Sequence, residues 1–316
     1  MTRTAYAFWF TSAEGGEIRP AEVPDPGPGE VLVRTRFSAL SRGTENLVRR
    51  GGVPESQYAV MRAPYQEGDF PWPVKYGYLN VGEVVAGPPE LTGRTVFCLY
   101  PHQTEYVVPA SAVTVVPDDV PAARAVLAGT VETAVNALWD AAPLIGDRIA
   151  VVGAGMVGCC VARLLSRFPG VDVQLVDIDP AREQVANAFG IPYASPETAQ
   201  GELDLVVHAS ATEAGLTRSL ELLRTEGTVV ELSWYGDRRV SLPLGENFHS
   251  RRLTVRGSQV GTVSPAAHRS YGDRMALALR LLADPAFDVL ITGESTFAEL
   301  PGIVRGPGLT HRITYP

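Results

Sequence analysis

The sequence contains a single lysine, Lys75, among 27 basic residues, so arginine supplies nearly all of its positive charge. Acidic side chains outnumber basic ones by 35 to 27, for a formal net charge of −8. A nucleic-acid partner needs a basic face, and this balance argues against one. Cysteine is equally scarce. Cys98, Cys159 and Cys160 cannot build a disulfide framework, which points to a reducing, cytoplasmic setting. No apolar run reaches 18 residues, so no membrane span is expected, and the polar opening MTRTAYAFWFTSAEGG lacks the pattern of a signal peptide. Repeats and low-complexity stretches are absent too. What remains is an ordinary globular composition, 45% hydrophobic and 20% charged, over 316 residues, enough for two domains with separate cores.

The most informative stretch is Val151-Val-Gly153-Ala-Gly155-Met-Val-Gly158, followed by Gln174-Leu-Val-Asp177. It reads as an apolar strand, a glycine-rich turn, a helix, and a second strand ending in a carboxylate. Each part suits a dinucleotide. Gly153 permits the tight turn, Gly155 lets the backbone approach a pyrophosphate, and Gly158 lets the helix pack closely on the strand. Amides at the helix start offer partial positive charge to the phosphates. Asp177 can accept hydrogen bonds from the adenine-side ribose. A phosphate-free doubly wound domain is the competing explanation, since small residues also occur at plain strand–helix turns.

The N-terminal third is rich in glycine, proline and short alternating runs. Glu30–Phe37, Val81–Ala86, Thr95–Leu99 and Thr104–Pro109 read as strands of a partly open β-barrel, with Pro24–Gly29 as a turn between the first two strands. A helical pattern runs from Ala122 to Ala141. The middle then alternates strand and helix from Arg148 to Leu232, the order that builds a parallel sheet covered on both faces. Gly190 is placed to stop the second helix, and Gly227 to make the turn before the fourth strand. A strand at 252–256, a helix at 271–282 and short elements to Tyr315 complete the chain. This tail is too small for a core of its own and is expected to return to the first domain.

A β-barrel interrupted by a dinucleotide domain resembles the medium-chain dehydrogenase/reductase superfamily, the zinc alcohol dehydrogenase-like group. The resemblance is carried by Gly77-Tyr-Leu-Asn-Val-Gly82, Glu105-Tyr-Val-Val-Pro-Ala110, Thr133-Ala-Val-Asn-Ala-Leu138, the glycine turn and Gly227-Thr-Val-Val. It implies an α/β fold: a GroES-like β-barrel catalytic domain at 1–129 and 258–316, with a Rossmann doubly wound parallel-sheet domain at 130–257. Within the superfamily, Ser38-Ala-Leu-Ser-Arg-Gly-Thr-Glu45 and His311-Arg-Ile-Thr-Tyr315 look most similar to a branch related to bacteriochlorophyllide a dehydrogenase. Zinc members bind their catalytic metal through Cys, His and Cys or Glu. The positions matching those ligands are Ser41, Tyr78 and Gly129, which cannot replace them. Cys98 and His102 are two ligands at best, so no metal is expected.

The resemblance further implies a hydride-transferring oxidoreductase that uses NAD, acting on a secondary alcohol or ketone, or on a conjugated enone. Arg42 matches a pyrophosphate contact, Thr133 a nicotinamide contact, and Arg182 a position near the adenosine; Met156, Val157, Ile178, Ser210 and Ser233 complete the cofactor set. Asp177 and Asp179 should repel the extra phosphate of NADP; two unit charges about 4 Å apart at an effective dielectric near 20 repel by roughly 4 kcal/mol before screening. Without zinc, the charge on the reacting oxygen needs a positioned acid. Tyr78, His102 and Glu132 are the candidates. Tyr78 reads equally well as an aromatic filling vacated metal space, His102 as a surface-loop histidine, and Glu132 as a helix cap. Ser41, Thr44, Glu45 and Tyr100 are candidate substrate-pocket residues, and Lys75 reads as a solvated side chain unless desolvation makes it an electrophile. The expected partners are a small-molecule substrate and, by resemblance, a second copy in a homodimer. The alternative is a dinucleotide-binding sensor or scaffold that has lost catalysis.

Overall fold

The computed structural model describes residues 2–316, and these divide into two compact units. Among these, unit 1 comprises 2–129, 275–284 and 291–316, and unit 2 comprises 130–274 and 285–290. One boundary between them follows Gly129. The return differs: the segment 258–274 belongs to unit 2. Buried Arg274 explains this, because its guanidinium donates to Glu132 Oε1 (3.0 Å), Asn136 Oδ1 (2.6 Å) and the Val260 and Thr262 carbonyls.

Unit 1 opens with a hairpin that the sequence reading did not draw, β1 (Thr2–Ser12) against β2 (Gly15–Pro24). The Pro24–Gly29 cluster therefore links the second and third strands. β3 (Glu30–Ser41) runs directly into α1 (Arg42–Arg49). Two-residue strands β4 (Glu67–Gly68) and β5 (Val74–Lys75) extend the hairpin sheet in the order β2-β1-β5-β4. β6 (Asn80–Ala86), β7 (Thr95–Cys98), β8 (Glu105–Pro109) and β9 (Val113–Val115) belong with β3, packing Val31, Val33, Val84, Val96, Tyr106 and Val108 into one core. The expected single helix after Val120 is two, α2 (Ala122–Ala125) and α3 (Ala128–Ala141), and α3 continues into unit 2.

Unit 2 is the doubly wound domain. It contains β10 (Arg148–Val152), α4 (Met156–Leu165), β11 (Asp172–Val176), α5 (Glu183–Phe189), β12 (Tyr193–Ala194), β13 (Leu203–His208), α6 (Glu213–Glu221), β14 (Leu223–Glu231) and β15 (Thr254–Gly257). All neighbours pair in parallel, in the order β12-β11-β10-β13-β14-β15. The order reverses between β10 and β13, and the crevice at such a switch point is where open α/β sheets bind ligands. Gly190 does end α5, in the left-handed conformation with φ 70°. Gly227 does not make a turn. It lies inside β14, and the left-handed residue is its neighbour Glu226, φ 63°.

After α7 (Tyr271–Leu281) the chain supplies β16 (Ile291–Thr296), α8 (Leu300–Ile303) and β17 (Thr310–Thr314) to unit 1. β17 pairs antiparallel with β3, setting Ile313 opposite Ser38 and His311 opposite Leu40. The two short motifs at opposite ends of the sequence, Ser38–Glu45 and His311–Tyr315, thus begin on adjacent strands.

Candidate functional site

In unit 2 each glycine of the turn has a distinct physical reason. Gly153 sits at φ 105°, and a Cβ there would come within 2.5 Å of the Ser210 nitrogen. A Cβ at Gly158 would lie 1.9 Å from the Gly153 carbonyl oxygen, so no other residue lets α4 approach this closely. Gly155 faces open space and occupies the N-cap of α4 with no side chain capping it. That leaves the helix start, carrying Met156 and Val157, as an anion-accepting end. Asp177 follows β11. Its Oδ2 accepts from the Ala154 amide at 2.6 Å and its Oδ1 from the Asp179 amide at 2.9 Å, fixing the carboxylate beside the turn with lone pairs to spare. Ile178 is 85% exposed next to it, an apolar side chain with nothing to cover it. Arg182 pairs with Asp179 at 3.2 Å.

Ser210 and Ser233 follow β13 and β14, and between them lies a group that the sequence reading missed. His208 ends β13 and Glu231 ends β14, at paired positions in the register. The imidazole is fully buried, with Nδ1 2.7 Å from Glu231 Oε2 and Nε2 2.6 Å from Ser210 Oγ. Glu231 also accepts from the Ser233 amide (2.7 Å) and Tyr235 Oη (3.1 Å). Burial pushes its carboxyl up, but the hydrogen bonds from His208 and Ser233 outweigh that and hold it below its ordinary value. A base and an acid closing two successive apolar strands, LDLVVH and TVVE, was the available signal.

Unit 1 gathers most of the remaining candidates. Tyr78 Oη donates to Ser41 Oγ at 2.5 Å; burial raises the phenol, while the hydroxyls of Ser41 and Thr44 partly counter it. Glu45, in the first turn of α1, accepts from the amide of the N-cap residue Ser41 at 2.7 Å. Its other oxygen lies 3.0 Å from His102 Nε2, and His102 Nδ1 lies 2.7 Å from Ser38 Oγ, which meets Tyr315 Oη at 2.9 Å. His102 is only 1% exposed and Glu45 3%. Far from being a surface histidine, His102 has both ring nitrogens engaged inside the unit. Gly77 accommodates it, since a Cβ at that position would come within 3.1 Å of the ring.

Arg42 stands apart. Its Nε and Nη1 are buried and have no hydrogen-bond partner among the described residues. Burial lowers its pKa, with Glu45 opposing. Tyr100 stacks on Tyr106 at 3.8 Å and borders a groove of about 410 Å³ that neither Ser41, Thr44 nor Tyr78 lines. Lys75 is not solvated: it is 1% exposed, bonded to Glu67 and to Gln103 Oε1 (2.9 Å), and held over the Tyr100 ring. Glu132 and Thr133 lie on α3 within unit 2. Burial pushes the Glu132 carboxyl up and Arg274 pulls it back.

The donor set does not suit a zinc ion. Ser41 and Tyr78 hydroxyls bond each other, and Gly129 has no side chain; a Cβ there would meet Leu79 at 2.7 Å. Burial pushes the Cys98 thiol up to about 12, keeping it protonated and a poor ligand. Among the described residues no three His, Cys, Asp or Glu side chains converge on a common point.

No family model matches the chain. It is 26% identical over 313 residues to L-galactonate-5-dehydrogenase of Escherichia coli (strain K12), covering 88% of each protein. Among solved structures, it superposes with a TM-score of 0.80 at 16% identity, over 99% of both chains, on a protein described as a zinc-binding dehydrogenase from Sinorhizobium meliloti 1021, bound to NADP. It also superposes with a TM-score of 0.78 at 20% identity, over 98% of this chain and 97% of the other, on acetophenone reductase from Geotrichum candidum in complex with NAD. These likenesses establish the fold of medium-chain dehydrogenases/reductases, a GroES-like domain and a Rossmann domain.

Proposed function

We propose that the protein is an oxidoreductase that transfers hydride between a nicotinamide dinucleotide and a small alcohol or carbonyl compound, without catalytic zinc. The observation that carries the reading is the turn at the switch point, where Gly153 and Gly158 tolerate no Cβ and Asp177 is fixed beside an uncapped helix start. The curated relative is a dehydrogenase, and the structural neighbours hold NADP or NAD, which supports a nicotinamide cofactor here. Asp177 favours NAD over NADP, because its carboxylate would face the 2′-phosphate. The unpartnered Arg42 guanidinium suits a phosphate of the same cofactor.

The bound cofactor supplies the hydride. This chain must then answer the charge that develops on the substrate oxygen. Tyr78 is our proton donor: a phenol kept protonated by burial, whose hydrogen goes to Ser41 Oγ here and would turn to the substrate oxygen when one is bound. Ser41 and Thr44 orient it. His102 and Glu45, both spent inside the unit, act as support for the Ser41 turn rather than as groups touching substrate. Glu132, held by Arg274, supports α3 in the same way. The Ser38–Glu45 and His311–Tyr315 pair also supports the branch related to bacteriochlorophyllide a dehydrogenase, and no substrate is taken from it.

Purified protein offered NADH or NADPH with a panel of secondary alcohols, ketones and enones provides the test, alongside elemental analysis. Turnover with NADH, less than one zinc per ten chains and a preference over NADPH are expected. Stoichiometric zinc that activity requires would remove the metal-free reading. Tight NADH binding with no turnover across the panel would favour a sensor.

A further inference from the structure

We propose that the buried His208–Glu231 pair positions the non-adenosine half of the bound dinucleotide, acting through the hydroxyls of Ser210 and Ser233. The inference rests on the dinucleotide reading of unit 2 and assigns two residues about which the glycine motif is silent. Strand order gives the direction. β11, which leads to Asp177, lies on one side of β10, while β13 and β14 lie on the other. With the adenosine ribose at Asp177 and the pyrophosphate at the turn, the second half of the ligand extends over the ends of β13 and β14. His208 and Glu231 close those two strands, and the backbone of Ser210 presses against Gly153.

The hydrogen bonds fix where each hydroxyl sits. An ionised Glu231 only accepts, so Nδ1 of His208 carries hydrogen and donates to it at 2.7 Å. Nε2 on the other side of the ring meets Ser210 Oγ at 2.6 Å. The Thr212 hydroxyl (2.8 Å) and amide (3.3 Å) are the other close neighbours of Ser210 Oγ. Ser233 Oγ accepts from the Ala211 amide at 3.0 Å, lies 3.3 Å from His208 Nδ1, and its hydroxyl helps to hold the Glu231 carboxyl below its ordinary value. Two hydroxyl oxygens fixed at adjacent strand ends match a ribose hydroxyl or a carboxamide, groups that can both give and take hydrogen bonds. The packing reserves this place: a Cβ on Gly215 of α6 would come within 2.2 Å of Ser210 Oγ and 2.9 Å of His208 Nε2. A buried imidazole and a part-buried carboxylate hold two serines.

The experiment uses the full chain and two probes, NADH by fluorescence titration and ADP by calorimetry. His208→Phe and Ser210→Ala should each weaken NADH about tenfold, the scale of a lost hydrogen bond, and leave ADP within about twofold, since ADP reaches only the adenosine and pyrophosphate positions. Because His208 acts through Ser210, the double variant should bind NADH no more than about twofold weaker than either single one. Glu231→Gln, which frees the ring tautomer, should fall between the single variants and wild type. Equal losses for NADH and ADP, full multiplication in the double variant, or unchanged NADH affinity would each overturn the proposal. If His208→Phe does not fold, Ser210→Ala and Glu231→Gln carry the same NADH-to-ADP comparison. Wild-type protein that binds ADP and NADH equally also overturns it, whereas wild type that binds neither removes the dinucleotide reading beneath it.

Discussion

Among the described residues each unit holds a histidine–glutamate pair, and the two serve different ends. His102 and His208 are both buried between a glutamate and a serine, while Glu45 is buried and Glu231 only partly so. In unit 1 the bonds run from the Ser41 amide through Glu45, His102 and Ser38 to Tyr315, tying distant segments of that unit together. In unit 2 they end at Ser210 and Ser233, part exposed just past two neighbouring strands. The role of such a pair depends on what its last hydrogen bond holds. One set of bonds fixes a loop, and the other fixes two hydroxyls beside the glycine turn.

The strongest way to break this comparison is to remove one member of the unit 1 pair. His102→Phe leaves Glu45 as a buried carboxylate whose remaining hydrogen bond is to the Ser41 amide, and such losses cost about 3–5 kcal/mol. His208→Phe should cost less, because Glu231 retains the Ser233 amide and Tyr235. Urea denaturation of the two variants settles the order; equal losses would erase the distinction. Next, Tyr78→Phe should lower kcat by about 10²-fold with NADH affinity unchanged. A rate within threefold of wild type in steady-state assays would return Tyr78 to the role of a space-filling aromatic.

Asp177→Asn should narrow the preference for NADH over NADPH by roughly tenfold, which is about a third of the repulsion expected between two charges at that distance. A ratio of kcat/KM values that does not move would discard the carboxylate as the selecting group. Arg42→Met removes a part-buried guanidinium whose Nε and Nη1 have no hydrogen-bond partner among the described residues, so it should raise stability by about 1 kcal/mol while weakening NADH. Loss of both stability and affinity would mean that the charge has an internal role.

The smallest effect concerns pH. Glu231 titrates below its ordinary value in the folded state, so the unfolded chain takes up its proton first as pH falls. Its contribution is complete above the unfolded carboxylate pKa, shrinks as pH falls below it and is gone once pH has passed below the lowered folded value. Glu231→Gln should therefore flatten the acid limb of a stability–pH curve between about pH 5 and 3 and leave the neutral plateau shape intact. An identical acid limb in both proteins would remove the coupling to His208.

Legibility differed between the units for a physical reason. In unit 2 the glycine turn, the strand–helix alternation and Asp177 are contiguous or periodic features, and each of them reads directly from the residue order. Even so, His208 and Glu231 escaped attention, since they are 23 residues apart and meet only because β13 and β14 pair in register. In unit 1 the hydrogen bonds join positions 38, 45, 102 and 315, and no local pattern connects them. His102 looked like a surface-loop residue because the loop itself is polar. Lys75 looked solvated because lone lysines generally are. The N-terminal hairpin was missed as well, its strands being long but weakly alternating in burial.

The residue order alone determined the doubly wound domain and the glycine turn with a carboxylate beside it. Local backbone sterics and donor chemistry are properties of individual residues, which is why these could be read without coordinates. Tertiary structure alone decided which histidines are internal, that Arg274 draws 258–274 into unit 2, and that Arg42 Nε and Nη1 have no hydrogen-bond partner among the described residues. Burial and long-range hydrogen bonding are set by which strands become neighbours, and that choice belongs to the folded chain as a whole.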